Sequence, residues 1–342
     1  MPRSPQRVST SRTLDSGVAS DTPVVAALDC GSNSTRLLIV DGEGHHVARE
    51  MQITRLGQGV DATGALDRSA IDRVLATLST YADQLVLHGV ERAVMTATSA
   101  VRDASNGAAF LDEASAVLHA PCVVLSGDDE ARLSYRGATA DLNLVGSRPV
   151  VLDIGGGSTE LITEGAGGLE AISLQLGCVR NTERFLASMP PTAEELARLR
   201  DAVAVQLETA MAALPSLSTG DPLELVGLAG TVAALVMVDR GLAHYDRALV
   251  HHARLSVDDV ASWTQRLSGE TTAERLAHRG MEPGRADVLV GGLVVLLAVM
   301  ERIGAQSVLH SEADILDGVA DALRSSSTFA GVDARVAAGG QR

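Results

Sequence analysis

Residues 28–37 read LDCGSNSTRL and residues 152–161 read LDIGGGSTEL, so the chain states one short phrase twice. Leu28/Leu152, Asp29/Asp153, Gly31/Gly155, Ser34/Ser158, Thr35/Thr159 and Leu37/Leu161 are identical in a gapless alignment. Each copy follows an apolar run (VVAALD, PVVLD) and enters another (LLIV, ELIT). That pattern reads as strand, Gly/Ser turn, strand, with an aspartate ending the first strand. Such a turn exposes backbone N–H groups and hydroxyls that can cradle phosphate oxygens, and the strand-end carboxylate can hold a divalent cation against them. Two such loops facing each other would clamp a phosphate from both sides.

The rest of the chain repeats the scheme. After the first phrase a DGEG turn (41–44) leads to alternating apolar positions at Val47, Met51 and Ile53; after the second, EGAGG leads to AISLQL. Each half therefore begins as a three-stranded antiparallel meander. Helix-period segments follow at 67–88 and 192–214, the second opened by a Thr192/Glu195 capping box. Strands at 93–98 and 122–126 and helices at 104–119 and 128–142 complete the first half. A strand at 223–229, several helices including 284–303, the strand SVLH and a helix at 313–324 complete the second. The expected architecture is α/β, two duplicated lobes with a cleft between them at the carboxyl ends of the strands. The expected divisions are a disordered leader over 1–22, an N-terminal lobe over 23–145, a C-terminal lobe over 146–312 and a flexible tail over 325–342. Helix 313–324 is expected to pack back on the N-terminal lobe.

Composition narrows the function classes. With 342 residues there is chain enough for two sizeable cores. The 28 Lys+Arg stand against 43 Asp+Glu, a net charge of −15, which argues against broad binding to nucleic acid or anionic membrane. Aromatic residues are only 2% of the chain, too few for a stacking platform. No apolar run is long enough to span a bilayer, and residues 1–22 lack the apolar core of a signal peptide. Three scattered cysteines, Cys30, Cys122 and Cys178, fit a reducing, cytoplasmic setting and read as small buried apolar groups. His251, His252 and His310 read as structural, since adjacent histidines do not readily share one metal.

The paired loops resemble the phosphate motifs of the actin, heat-shock ATPase and sugar-kinase superfamily. Within it the chain is most similar to the exopolyphosphatase / guanosine pentaphosphate phosphohydrolase family. The resemblance rests on DCGSNSTRLL (29–38), TATSAVRDASN (96–106), SGDDEARLSYRG (126–137) and DIGGGSTEL (153–161). LQLGCVRNTERF (174–185), GLAGT (227–231) and GMEPGRADVLVGG (280–292) extend it, and the seven together run from Val24 to about Arg324. The closing SEADILDGVA departs from the family's usual serine–leucine–arginine–glycine ending. The family implies two ribonuclease-H-like lobes of the actin-like ATPase type.

The same resemblance implies that Glu130 deprotonates the water attacking a terminal phosphorus, with Asp129 as the fallback and helix-terminal capping as the ordinary alternative. Asp153 and Glu160, with Asp29 opposite, offer hard carboxylate oxygens for Mg²⁺, Mn²⁺ being the equivalent substitute; otherwise the two aspartates cap turn amides. Ser32, Asn33 and Ser34, and Gly155, Gly156, Gly157, Ser158 and Thr159, form the two cradles. Arg36 and Arg102 are expected to bind phosphate, Arg36 because it lies two residues beyond Ser34 on the same strand face. Arg285 is either a clamp for further phosphates or a surface ion-pair partner. Gly230-Thr231 opens a helix, an anion site or a simple cap.

The expected activity is Mg²⁺-dependent, processive release of orthophosphate from inorganic polyphosphate. Removal of the 5′ γ-phosphate of guanosine pentaphosphate is the alternative within the same chemistry. A small-molecule phosphotransferase and a non-catalytic polyphosphate or alarmone sensor are the rivals from other classes. The acidic surface disfavours long chains unless a basic track is assembled, for which a homodimer is one means.

Overall fold

In the computed structural model, residues 22–144, 146–218 and 220–336 are described. The expected leader lies outside the described residues apart from Thr22. The two phrases become two hairpins at matching places in two sheets. Strands β1 (Val25–Cys30), β2 (Ser34–Val40) and β3 (His46–Ile53) form the antiparallel meander, and β4 (Arg92–Ala97) and β5 (Cys122–Val124) extend it in parallel from β1, in the order β3-β2-β1-β4-β5. In the second sheet β6 (Arg148–Ile154), β7 (Thr159–Gly165) and β8 (Gly168–Leu174) make the meander. Strands β9 (Leu223–Leu228) and β11 (Ser307–His310) follow in parallel, and the three-residue β10 (Arg254–Ser256) edges the sheet. The shared order shows the duplication, and each sheet is the core of one ribonuclease-H-like lobe.

The helices of the first half are α1 (Val60–Thr63), α2 (Arg68–Leu87), α3 (Ser99–Asp103), α4 (Gly107–Leu118) and α5 (Gly127–Thr139). Those of the second are α6 (Cys178–Phe185), α7 (Ala193–Ala213), α8 (Ala229–Asp239), α9 (Arg247–Val250), α10 (Val257–Ser268), α11 (Thr272–Leu276), α12 (Leu289–Ile303) and α13 (Ile315–Ser325). Helix α2 starts where the Asp67 carboxylate accepts from Ser69 N and Ala70 N, and buries Ile71, Val74, Leu78, Tyr81 and Leu85 along one stripe. Each such side chain contributes about 1.5–3 kcal/mol of burial. Helix α7 opens with the Thr192/Glu195 capping box read from the sequence. Among the described residues no helix is long and apolar enough to cross a membrane.

Two helices tie the lobes together. Helix α5 leaves the N-terminal sheet but lays Ala131, Tyr135 and Ala138 against Val151, Ile162 and Val226 of the C-terminal one. Helix α13 does the reverse, placing Ile315, Leu316, Val319 and Leu323 on Val25, Ala27, Leu38 and Val94. They cross at Gly137 and Gly318: a Cβ on Gly137 would overlap the Asp314 carbonyl oxygen, and one on Gly318 that of Leu133. Residues 325–336 depart from the expected flexible tail. A hairpin of β12 (Thr328–Phe329) and β13 (Val332–Asp333) adds Phe329 and Ala334 to the same core. Ala93 N donates to Ala334 O at 2.8 Å, and Val336 N to Glu91 O at 3.0 Å. Two-residue strands are too short to show an alternating pattern in sequence.

Candidate functional site

The two glycine loops are the same turn built twice. Gly31 N donates to Ser34 O at 3.0 Å, and Gly155 N to Ser158 O at 3.0 Å. They face each other so closely that a Cβ on Gly156 would lie 2.7 Å from Ser32 Cβ, a contact only glycine permits. Between the lobes they border a cavity of about 370 Å³ whose wall includes Ser32, Asn33, Ser34, Gly155, Gly156 and Ser158. The Asn33 side chain is buried with neither amide atom hydrogen-bonded, a donor and acceptor aimed at a ligand. Gly157 and Thr159 stand behind the cavity wall: Thr159 Oγ1 donates to Leu176 O and fixes the loop from below.

Carboxylates gather beneath the loops. Asp29 is the penultimate residue of β1 and Asp153 of β6, and both line the cavity. Asp153 pairs across the strands with Glu160, which lies behind it, 1% exposed, and accepts from Ser173 Oγ at 2.6 Å. Glu130 reaches in from the first turn of α5, where Ser126 caps Asp129 N. Asp129 is exposed and bonded to Ser126 Oγ, so of the two candidates only Glu130 borders the cleft.

Crowding these groups out of water raises their proton affinity. Burial, then the Glu160 and Asp153 charges, hold Glu130 well above the usual carboxyl value. Burial, then Asp153, lifts Glu160 to about 8. Burial, opposed by Arg36, lifts Asp153 to about 6, and burial raises Asp29. Asp29 Oδ1 is buried without a partner. An orphaned carboxylate oxygen beside two further acids is the donor set a hard divalent cation requires, so the residues present fit such an ion.

Of the three arginines, two are held by carboxylates and, among the described residues, the third is not. Arg36 lines the cavity, but its guanidinium is committed to Asp29, 2.7 Å away, and to Asp314. Asp29 lies opposite Arg36 in the β1–β2 register, which makes that pair geometrically natural. Arg102 does not border the cavity; its Nη1 donates to Leu125 O at 3.0 Å and Glu130 Oε2 at 3.3 Å. Arg285 is 7% exposed and lines the cavity beside Gly230, with no carboxylate in ion-pair range among the described residues. Burial lowers its proton affinity. Gly230 is at the wall, whereas Thr231 is buried behind it, its Oγ1 donating to Ile154 O at 3.4 Å.

Several residues at the site carried no sequence signal of their own. Asp314, in the closing segment whose wording departs from the family pattern, draws in Arg36 and also Arg49, 3.2 Å away. His310 Nδ1 donates to Gly227 O at 2.9 Å and its Nε2 meets Glu312 Oε1 at 2.8 Å, and Glu312 also receives the Tyr245 hydroxyl at 2.6 Å. His251 and His252 stack with ring centroids 3.8 Å apart and both approach Asp141. His251 Nδ1 accepts from Glu312 N, which leaves Nε2 as the proton carrier toward Asp141, and the ligand atoms of Asp141, His251 and His252 all lie within 4.8 Å of one another. Arg180 joins the second loop to the opposite lobe: its Nε donates to Gly157 O at 2.6 Å while its guanidinium pairs with Asp61 and Asp103.

Comparison with known proteins bears on the fold and the family. The sequence profile of the Ppx/GppA phosphatase family matches residues 38–325. The chain is 44% identical over 316 residues to exopolyphosphatase 2 of Mycobacterium tuberculosis, covering 86% of this chain and 97% of that one. It is 32% identical over 304 residues to the guanosine-5′-triphosphate,3′-diphosphate pyrophosphatase of Vibrio atlanticus, covering 87% of this chain and 59% of the relative. Among solved structures it is similar to an exopolyphosphatase-like protein (TM-score 0.84, 33% identity, 88% of this chain and 99% of that one). It is also similar to the Ppx/GppA family member of Aquifex aeolicus (TM-score 0.72, 28% identity, 90% and 99%).

Proposed function

The chain belongs to the Ppx/GppA phosphatase family, and from that premise we propose that it is an exopolyphosphatase releasing orthophosphate from the end of inorganic polyphosphate. One observation carries the reading: the Glu130 carboxylate, buried and raised in proton affinity, borders the same cleft as both phosphate loops. A terminal phosphoryl group seated between the loops would meet backbone amides, the Ser32, Ser34 and Ser158 hydroxyls and the unpartnered Asn33 amide. Glu130 takes a proton from the water lying between it and the phosphorus. The oxygen attacks in line, the bridging P–O bond breaks, and the shortened chain departs as an anion. Arg102 keeps Glu130 oriented and favours its ionised form. Asp29 and Asp153, backed by Glu160, would hold a divalent cation, Mg²⁺ or its equivalent Mn²⁺, which supplies positive charge to the phosphate oxygens when bound.

One wall of the cleft supports a second substrate of the same chemistry. Ala233, Ala234 and Met237 of α8 give it an apolar wall, which suits the nucleoside end of guanosine pentaphosphate. The three free cysteines and their scatter support a cytoplasmic setting. The test is orthophosphate release with Mg²⁺ from tripolyphosphate, guanosine pentaphosphate and ATP, for wild type and Glu130→Gln. Release from polyphosphate that drops roughly 10²–10⁴-fold in the variant, with binding retained, is expected. Tight binding with no release from any of the three would replace the hydrolase by a sensor.

A further inference from the structure

Every basic residue of the 28 is an arginine, and most arginines of the described residues are engaged by a carboxylate or a carbonyl. Arg132, Arg198 and Arg200, on outer helix faces, have neither partner, and neither do Arg247, Arg279 and Arg285. The second trio is not scattered. Arg285 lines the cleft; Arg247 lines both the cleft and a neighbouring open groove of about 600 Å³; Arg279 lines that groove with His244. Tyr245 is the wall the two spaces share, held by its hydroxyl on Glu312. Among the described residues the one carboxylate bordering the groove, Asp246, is occupied in capping α9, where it accepts from Ala248 N.

We propose that this groove is an outer track for the polyphosphate chain, carrying the phosphates beyond the scissile bond from Arg285 past Arg247 to Arg279 and His244. The proposal rests on the exopolyphosphatase reading and extends it to how a long polyanion is held. A surface of net charge −15 repels such a chain everywhere except along cations that no carboxylate neutralises. These arginines form such a line, and it begins at the cleft. Their side chains reach phosphate without first breaking an ion pair.

The experiment compares KM for tripolyphosphate, too short to leave the cleft, with KM for long-chain polyphosphate, in wild type and in Arg279→Ala, Arg279→Lys and Arg279→Glu. For Arg279→Ala the long-chain KM is expected to rise roughly fivefold relative to that for tripolyphosphate. Arg279→Lys should restore most of this, Arg279→Glu should exceed it, and the salt dependence of the long-chain KM should become shallower. Equal changes on both substrates, or none on either, would overturn the track. If wild type hydrolyses neither polyphosphate, the exopolyphosphatase reading fails separately. Calorimetric binding of long-chain polyphosphate to wild type and Arg279→Glu then decides the groove, unchanged affinity rejecting it and weakened affinity supporting it. Weakened affinity for guanosine pentaphosphate alone would assign the groove to a nucleotide and overturn the proposal.

Discussion

One nitrogen of Arg102 serves two acceptors, the Leu125 carbonyl and the Glu130 carboxylate, just behind the reaction space. Its charge holds Glu130's proton affinity down, against the larger effects of burial, Glu160 and Asp153. Arg102→Ala should therefore move the acid limb of the pH–rate profile to higher pH and lower kcat/KM near neutrality by roughly tenfold. Arg102→Lys should recover much of the profile. An unshifted limb would show that Arg102 only braces the strand end. At this scale the sequence was partly legible. Asp29, Asp153 and the loop residues announce themselves through repetition and Glu130 through the family resemblance, and the structure brings the two aspartates, Glu130 and most of the loop residues around one cavity. Arg36 could be placed on the correct strand face, but not its partner Asp314, which approaches from 278 positions later in the chain. Pairing over that distance is set by how α13 docks, and no local pattern encodes it.

The crossing of α5 and α13 fixes where Glu130 sits, because the same helix carries Glu130 in its first turn and Gly137 at the contact. Adding one methyl at Gly318 drives it into the Leu133 carbonyl, backbone that can yield only by separating the helices. Gly318→Ala is expected to cost about 1–3 kcal/mol in denaturant unfolding and to lower kcat more than it raises KM. Unchanged stability with normal turnover would mean that the helices have room to slide. Most elements were legible from periodicity, α2 and α7 within a residue or two, because each has a clear apolar stripe and a capping side chain. The hairpin over 328–333 was not, since its strands are two residues each and its order comes from Phe329 and Ala334 filling a core built by others.

For the whole molecule, the central acids oppose folding until a cation joins them. Glu160 moves from an ordinary 4.5 to about 8 through burial and Asp153, and Asp153 from 3.8 to about 6 through burial. Between those limits the folded chain holds protons that the unfolded chain has released. The stability of the metal-free protein must then fall as pH rises, the loss complete once pH passes the folded values. Asp317 and Glu312 act in the opposite sense. Burial is outweighed by His46 and Arg49 at Asp317 and by His310 and Tyr245 at Glu312, so both are held down to about 2. Their contribution is present above the ordinary carboxyl range and is lost only as pH falls toward 2. Thermal unfolding in chelator should show a Tm several degrees lower at pH 8.5 than at pH 6, and Mg²⁺ should raise Tm more at the higher pH. A Tm independent of pH in chelator would contradict the crowded-acid picture. The two-lobe plan was legible because the sequence repeats itself, and of the exchange of helices between lobes the return of helix 313–324 to the N-terminal lobe was expected; the laying of α5 on the C-terminal sheet was not, because its sequence is compatible with staying on its own lobe.

That exchange sets an order of assembly during synthesis. One face of the N-terminal sheet is finished by α2 and α4, made alongside it, but the other is sealed by α13, Phe329 and Ala334. Roughly 190 residues separate the last strand of that sheet from its lid, about 10–40 s of elongation at roughly 5–20 residues per second. The half of the protein that leaves the ribosome first is thus the half completed last, and until then its apolar inner strands β1 and β4 stay open to chaperones.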